Sequence, residues 1–163
     1  MSATKKADTT AGSIQLRSIL VPTDFSAPSL KALRYAAVLA RQSGAKLTLL
    51  NVVEPIGATP DFAYNPLALD NEKVTAAAGE HLKKLAAKAD LEEGLIEKTL
   101  VRNGVPYSEI SSAAGSLKVD LIVIATHGYS GFKHLFMGST AERVVRHAPC
   151  PVLVVREHER EFA

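Results

Sequence analysis

Short apolar segments alternate with stretches of helical periodicity along most of this chain of 163 residues. Short runs of β-branched and aliphatic residues predict strands that are buried on both faces. Parallel strands need a crossover connection of a dozen or more residues, and the stretches between these segments can supply one. We predict five strands, at residues 18–21, 47–53, 97–102, 121–125 and 152–155.

Capping residues and helical spacing place four helices between the strands. Ser26 is a suitable N-cap for the first helix, Pro28 is tolerated in its first turn, and Gly44 is a natural stop. The first helix therefore lies between residues 26 and 44. The other predicted helices span residues 71–89, 106–117 and 141–147.

Strands separated by helices predict an α/β fold with an open five-stranded parallel sheet and helices on both faces. Such Rossmann-like sheets bind ligands beyond the carboxyl ends of the strands, where the winding direction reverses. In the predicted order 3-2-1-4-5 this reversal lies between strands 1 and 4. The order places the turn at residues 22–24 beside residues 125–128, so two distant loops line one crevice.

A glycine-bearing loop follows the fourth strand and leads into the fourth helix. Glycines allow close approach of backbone to a ligand, and the first amides of a helix have no partner within it. This arrangement favours an anion, and we expect a phosphate-bearing nucleotide. The loop matches neither the P-loop nor the G-x-G-x-x-G pattern.

A purely structural interpretation of the same loop stays open. Gly128 and Gly131 can simply form turns. Ser139 and Glu142 fit a capping box, with Ser139 as the N-cap of the fourth helix. A capped helix start can still bind an anion, because one side chain cannot satisfy all the free amides.

Composition predicts one soluble globular domain. Hydrophobic residues make up 47% of the chain, and no apolar run approaches membrane-spanning length. We expect a single domain at residues 17–156, with a flexible N-terminal tail at 1–16 and a C-terminal tail at 157–163. A net charge of +2 gives no support for nucleic-acid binding. The lack of a signal peptide or membrane segment predicts a cytoplasmic protein with no membrane contact. Cys150, the single cysteine, is expected to be a small buried side chain.

Five segments of the chain together resemble the universal stress proteins. The resemblance extends from about residue 17 to 156. The segments are ILVPTDFS at 19–26, LLNVV at 49–53, VDLIVIATHG at 119–128, GSTAERV at 138–144 and APCPVLVV at 148–155.

The resemblance implies an adenine nucleotide alpha hydrolase-like fold that binds ATP, with a magnesium ion carried by the nucleotide. ATP-binding members carry G-x2-G-x9-G-[S/T]. Here Gly128, Gly138 and Ser139 match this pattern, while Ala125 stands at the first glycine position. By the same resemblance, Asp24 and the backbone near Val52 hold adenine. The predicted nucleotide-binding residues are Pro22, Thr23, Asp24, Val52, Ile124, Ala125, His127, Gly128, Gly131, Gly138, Ser139 and Thr140.

Several polar residues have a structural alternative. Asp24 competes with Ser26 for the cap of the first helix, and His127 can tie down its own turn instead of meeting phosphate. Arg102, at the end of the third strand, is a further candidate for phosphate contact. No side chains stand at metal-ligand spacing, so we expect no metal site formed by the protein itself. No set of residues positions a base for ATP hydrolysis, so we expect a binding protein rather than an enzyme, with hydrolysis slow or incidental.

The fifth strand, Val152–Val155, is expected at the sheet edge, where an uncharged apolar strand invites pairing with another chain. The resemblance implies a homodimer through this strand. Two function classes remain: an ATP-binding regulatory protein of the stress response that signals to a partner still to be identified, and a dimeric interaction protein that binds no nucleotide. Ala125 keeps the second class open. A receiver or flavodoxin-like domain is disfavoured, because Asp24 is the only acidic residue placed at the strand ends.

Overall fold

The computed structural model describes residues 15–55, 71–88, 91–126, 138–156 and 160. Residue 89 and most of the two predicted tails lie outside these ranges. Strands and helices alternate throughout the described chain. In order, they are β1 (Ser18–Pro22), α1 (Ala27–Ser43), β2 (Lys46–Val53), α2 (Asn71–Lys88), β3 (Ile96–Asn103), α3 (Pro106–Leu117), β4 (Leu121–Ala125), α4 (Ser139–His147) and β5 (Val152–Val155).

The five strands form one parallel sheet in the order β3-β2-β1-β4-β5, which confirms the predicted topology. β1 lies at the centre, where Pro22 pairs with Leu50 on one side and Leu20 pairs with Ile122 on the other. The chain extends the sheet first through β2 and β3, then reverses direction and adds β4 and β5. The carboxyl ends of β1 and β4 are therefore adjacent at the point of reversal.

Apolar side chains cover both faces of the sheet. On one face α1 and α2 pack against Val21, Leu49 and Val123, and on the other α3 and α4 pack against Leu50 and Ile122. Successive residues of a strand point to opposite faces, so a continuous apolar run supplies both layers at once.

The limits of α1 follow from its flanking residues as predicted. The Ser26 hydroxyl oxygen accepts a hydrogen bond from the Ser29 amide at 3.3 Å, and Ser26 is the N-cap. At the other end Gly44 has a φ of 76°, the left-handed conformation that glycine adopts without steric cost.

The predicted start of α4 is wrong. Gly138, not Ser139, is the N-cap, and no side chain of the described residues caps the helix. The Gly138 amide donates to the Thr126 carbonyl at 2.7 Å, and the Glu142 amide donates to the Gly138 carbonyl at 3.0 Å. Because the Gly138 carbonyl accepts the first helical bond, Ser139 is already inside the first turn and no capping box forms.

No helix in the described part of the chain is both long and apolar enough to cross a membrane.

Candidate functional site

A cleft of about 370 Å³ opens at the carboxyl ends of β1, β2 and β4, beside the N-termini of α3 and α4. Its volume lies within the range typical of small-molecule sites. The sheet reverses direction here, which is where open α/β sheets bind their ligands. The residues that line it are Pro22, Thr23, Asp24, Ser29, Leu50, Val52, Glu54, Pro106, Ile110, Ile124, Ala125, Thr126, Gly138, Ser139, Thr140 and Ala141.

The structure thus brings together the predicted site residues from four separate segments: the β1–α1 turn, β2, β4 and the start of α4. The predicted site residues His127, Gly128 and Gly131 lie outside the described residues.

Hydrogen bonds hold the β1–α1 turn in a fixed shape. The Thr23 amide donates to the Leu50 carbonyl at 2.8 Å, one residue beyond the end of β1. The Thr23 side-chain oxygen then accepts from the Phe25 amide at 3.0 Å. Phe25 has a φ of 65°, a conformation that is uncommon for a bulky residue and persists only when its surroundings enforce it.

Asp24 lies between these two residues and borders the cleft. Its Oδ1 accepts from the Ser26 amide at 3.1 Å and from the Ser26 hydroxyl at 2.5 Å. Ser26, not Asp24, caps α1, so the capping alternative for Asp24 is wrong. The bonds to Ser26 fix the carboxylate at the edge of the cleft, where it can accept from a ligand hydroxyl or amine.

The opposite wall of the cleft is the N-terminus of α4. Gly138, Ser139 and Thr140 line the cleft, and all three are at least partly exposed. The N-terminal amides of a helix lack intrahelical partners and carry partial positive charge. Among the described residues no side chain caps α4, so the amides of its first turn are left without a side-chain acceptor beside the cleft. Such a helix start can hold an anion, and the nearby Ser139 and Thr140 hydroxyls are further donors.

Asp24 and Glu54 are the charged side chains among the described residues that line the cleft, and both are acidic. Arg102, which the sequence placed near a phosphate, is not among them. Its guanidinium lies 3.5 Å from the Glu109 carboxylate and donates to Ser112 at 3.2 Å and to Ser116 at 3.1 Å. Arg102 therefore packs along α3 toward its C-terminal end, away from the cleft, and this prediction is wrong.

Part of the cleft lining was not predicted from the sequence. Pro106 and Ile110 belong to the first turns of α3, and their spacing of four residues, directly after β3, indicates a shared helix face at this edge of the sheet. Glu54 follows β2 directly, which also places it at the carboxyl edge. Ser29 gave no comparable signal, because its place in the lining depends on how α1 packs. The other unpredicted lining residues are Leu50, Thr126 and Ala141.

The site has the chemistry of a binding cleft. It offers an apolar floor, a carboxylate at one side and helix amides at the other. Within the described residues, no group of three or more His, Cys, Asp or Glu side chains is arranged to hold a metal ion.

The fold and the site define a class of protein. Its members are parallel α/β domains with a binding cleft at the switch point, where the order of the strands reverses direction. Family comparison narrows this class: residues 15–156 match the family model described as "Universal stress protein family". The chain belongs to the universal stress protein family.

Curated relatives agree with this assignment. The chain is 37% identical over 147 residues to a universal stress protein of Methanocaldococcus jannaschii, which covers 89% of this chain and 85% of the relative. It is 35% identical over 144 residues to universal stress protein YxiE of Bacillus subtilis, with 85% and 97% covered.

Solved structures share the fold. Universal stress protein UspA from Lactobacillus plantarum superposes with a TM-score of 0.68 at 29% identity, covering 87% of this chain and 99% of that chain. A universal stress protein crystallised in complex with cAMP superposes with a TM-score of 0.61 at 25% identity, covering 87% and 98%.

Proposed function

We propose that this protein binds an adenine nucleotide, with ATP as the principal ligand, and acts as a homodimeric regulator in the stress response. One observation carries the proposal: the Asp24 turn and the α4 N-terminus face each other across a single cleft at the switch point of the sheet. A carboxylate and a helix start that border the same cleft suit a ligand with a hydrogen-bonding nucleoside at one end and an anion at the other.

Adenosine is assigned to the β1–β2 side of the cleft. Val52 and Ile124 offer apolar surface for a base, and the backbone near Val52 can hydrogen-bond the edge of adenine. The Asp24 carboxylate can accept from the adenine amine or from a ribose hydroxyl.

The phosphates are assigned to Gly138, Ser139 and Thr140. The amides of the first turn of α4 favour negative charge there. Asp24 and Glu54 on the cleft wall would repel a bare polyphosphate, which favours a nucleotide that brings its own magnesium ion.

The relative crystallised with cAMP supports a nucleotide in this fold. Ala125 departs from the glycine pattern of ATP-binding members. It borders the cleft but is only 8% exposed, and it belongs to the apolar layer beneath α1 and α2. The added methyl group therefore presents little surface to a ligand.

We further propose that binding, not turnover, is the function. Asp24 is held by Ser26 and lies at the nucleoside end, away from the phosphates. It is thus poorly placed to activate water for attack on a terminal phosphate.

The direct test is to denature freshly purified protein and identify any released nucleotide by mass spectrometry. A thermal-shift titration accompanies it, because a ligand that binds only the folded state raises Tm by an amount that grows with the logarithm of its concentration relative to Kd. We expect an adenine nucleotide in the released fraction and a rise in Tm with ATP and magnesium. Failure of both would favour the second class, a dimeric interaction protein without nucleotide.

A further inference from the structure

A buried asparagine, Asn51, lies on β2 between Leu50 and Val52, which both line the cleft, but is not itself part of the lining. Asn51 is 7% exposed and lies on β2, next to Val52. Its Nδ2 donates to the Thr23 carbonyl across 2.8 Å in a fully buried hydrogen bond. Burying an amide side chain costs free energy unless the amide is hydrogen-bonded, and the bond to Thr23 offsets part of this cost.

The Asn51–Thr23 bond stands where the β1–β2 ladder ends. The last backbone bond between these strands runs from the Thr23 amide to the Leu50 carbonyl at 2.8 Å. In a parallel sheet the next bond would join the Val52 amide to the Thr23 carbonyl. The side chain of Asn51 takes this carbonyl instead, and the chain turns away at Asp24.

The peptide groups of Val52 face the same side. In a parallel strand, successive residues direct their N–H and C=O groups to alternate neighbours. The Leu50 carbonyl bonds to β1, whereas the Val53 carbonyl accepts from the Gly104 amide on the β3 side at 3.0 Å. The Val52 groups are therefore directed toward β1, just past the point where β1 has ended, at the wall of the cleft.

Thr23, whose carbonyl accepts from Asn51, also holds the β1–α1 turn through its side chain. The Thr23 hydroxyl accepts from the Phe25 amide and lies 3.0 Å from the Ser29 hydroxyl, which in turn donates to the Ser26 carbonyl at 2.9 Å. Thr23 and Ser29 are 5% and 4% exposed, so the network is shielded from water. Such buried, satisfied networks hold one conformation.

We infer that Asn51 is a positioning residue for base recognition. By ending the β1–β2 ladder, it presents the Val52 peptide edge to the cleft and holds Thr23 so that Asp24 faces the same space. The inference rests on the proposed function for its ligand, an adenine base, but its structural part concerns the free protein. Asn51 acts through Thr23 and Val52, without touching the ligand.

The test compares the full chain with Asn51→Leu, which has similar volume and no donor, and with Thr48→Val as matched control. Thr48 lies three residues earlier on the same strand and is 3% exposed, so its loss also removes a buried polar group. Two quantities are measured: amide hydrogen exchange at residues 23–26 without ligand, and the ratio of ATP to GTP affinities by calorimetry.

For Asn51→Leu we expect exchange at Phe25 and Ser26 to rise about tenfold or more, and the preference for ATP over GTP to fall about tenfold, the scale of one buried hydrogen bond. Thr48→Val should change neither. General destabilisation would lower both affinities together and leave their ratio unchanged. If Asn51→Leu does not fold, Asn51→Ser, whose side chain is too short to reach Thr23, replaces it.

Unchanged exchange at residues 23–26 overturns the inference. Increased exchange with an unchanged ATP to GTP ratio overturns its role in base recognition. A wild-type protein that binds neither nucleotide contradicts the proposed function instead, and exchange alone then decides whether Asn51 holds the turn.

Discussion

The backbone amide of Gly138 donates to the carbonyl oxygen of Thr126 across 2.7 Å, which ties the start of α4 to the end of β4. Gly138 has a φ of −55° and a ψ of 147°, values open to any residue. Its glycine character is therefore not needed for backbone conformation, and the stability of α4 can be separated experimentally from ligand binding at this position.

Gly138→Asp is expected to change stability and nucleotide affinity in opposite directions. Aspartate is a better N-cap than glycine and should stabilise α4 by a few tenths of a kcal/mol. Its charge at the proposed phosphate position should weaken ATP binding about tenfold or more. Urea unfolding and calorimetry measure the two effects. Gly138→Asn, a neutral cap of the same size, should retain more of the affinity. Equal affinity in the two variants would contradict a phosphate at α4.

Asp24→Asn tests the nucleoside end of the cleft. The variant keeps an oxygen that accepts from the Ser26 amide, so the free energy of unfolding should change by less than about 1 kcal/mol. Loss of the charged acceptor should raise the Kd for adenosine about tenfold. Adenosine carries no phosphate, so its affinity does not change with the repulsion between the acidic cleft and a polyphosphate.

Glu54→Gln is the control for Asp24→Asn, because it removes the same charge from the same cleft. We expect its affinity for adenosine to match the wild type. A similar loss in both variants would point to the charge of the cleft, not to a hydrogen bond that Asp24 accepts from adenosine.

Val154→Pro tests the proposed homodimer. The Ile122 amide donates to the Pro151 carbonyl, and the Thr126 amide donates to the Val155 carbonyl. By strand alternation, the peptide groups of Val154 therefore point away from β4, toward the open edge. Proline there removes one outward donor and no bond within the sheet.

We expect Val154→Pro to sediment as a monomer at micromolar concentration while keeping a native circular dichroism spectrum. Leu153→Pro is the contrasting variant, because the peptide groups of Leu153 face β4 and their loss should disrupt the sheet itself. A wild-type monomer, or a dimer that survives Val154→Pro, would contradict dimerisation through β5.

Cys150 should resist alkylation at mildly alkaline pH. Partial burial raises the pKa of the Cys150 thiol, and the nearby Asp120 carboxylate adds to the effect. The folded state thus holds the proton to higher pH than the unfolded state, whose thiol pKa is about 8.5. The resulting stabilisation is complete below the unfolded pKa and is lost as the pH rises through the folded pKa.

The measurement is the pH dependence of the iodoacetamide reaction rate for native and urea-unfolded protein. The native midpoint should lie above the unfolded one, because the thiolate is the reactive form. In Cys150→Ala the decline of stability above about pH 8.5 should be smaller. A native midpoint at or below the unfolded value would refute the assignment.

Leu82 anchors α2 to the sheet. Its side chain is fully buried, and truncation to alanine should cost about 2–5 kcal/mol in the free energy of unfolding. Lys83→Ala is the matched control, since the Lys83 side chain is 70% exposed and its pair with Glu80 is a surface salt bridge. Urea unfolding at one protein concentration should show a change of about 0.5 kcal/mol or less for this control. Equal effects would indicate that α2 contributes little to the folded core.

Strand positions and their order could be predicted because buried parallel strands require apolar runs, and few topologies connect them with right-handed crossovers. The first helix was also predictable, because Ser26 and Gly44 act through local backbone chemistry. The start of α4 was not, since Ser139 fits a capping pattern equally well. A bond to Thr126, distant in sequence, decides in favour of Gly138.

Arg102 shows a second limit of sequence analysis. Its position at the end of a strand suggested a ligand contact, but Glu109, Ser112 and Ser116 lie on one face of α3 and engage it. Their spacing of three and four residues was visible in the sequence. What could not be seen was that β3 presents Arg102 to this helix. The role of Asn51 was hidden for the same reason, because it depends on where β1 stops pairing with β2.

The two apolar layers of the sheet have different relations to the cleft. Most of its apolar lining (Leu50, Ile110, Ile124 and Ala141) belongs to the layer under α3 and α4, whereas Leu33, Leu47 and Leu82 lie in the layer under α1 and α2. Substitutions separated by the sheet are expected to act additively. Substitutions in the layer under α1 and α2 could therefore raise the thermal stability of the protein without changing its ligand preference. Ligand preference could be changed separately, by substitutions in the layer under α3 and α4.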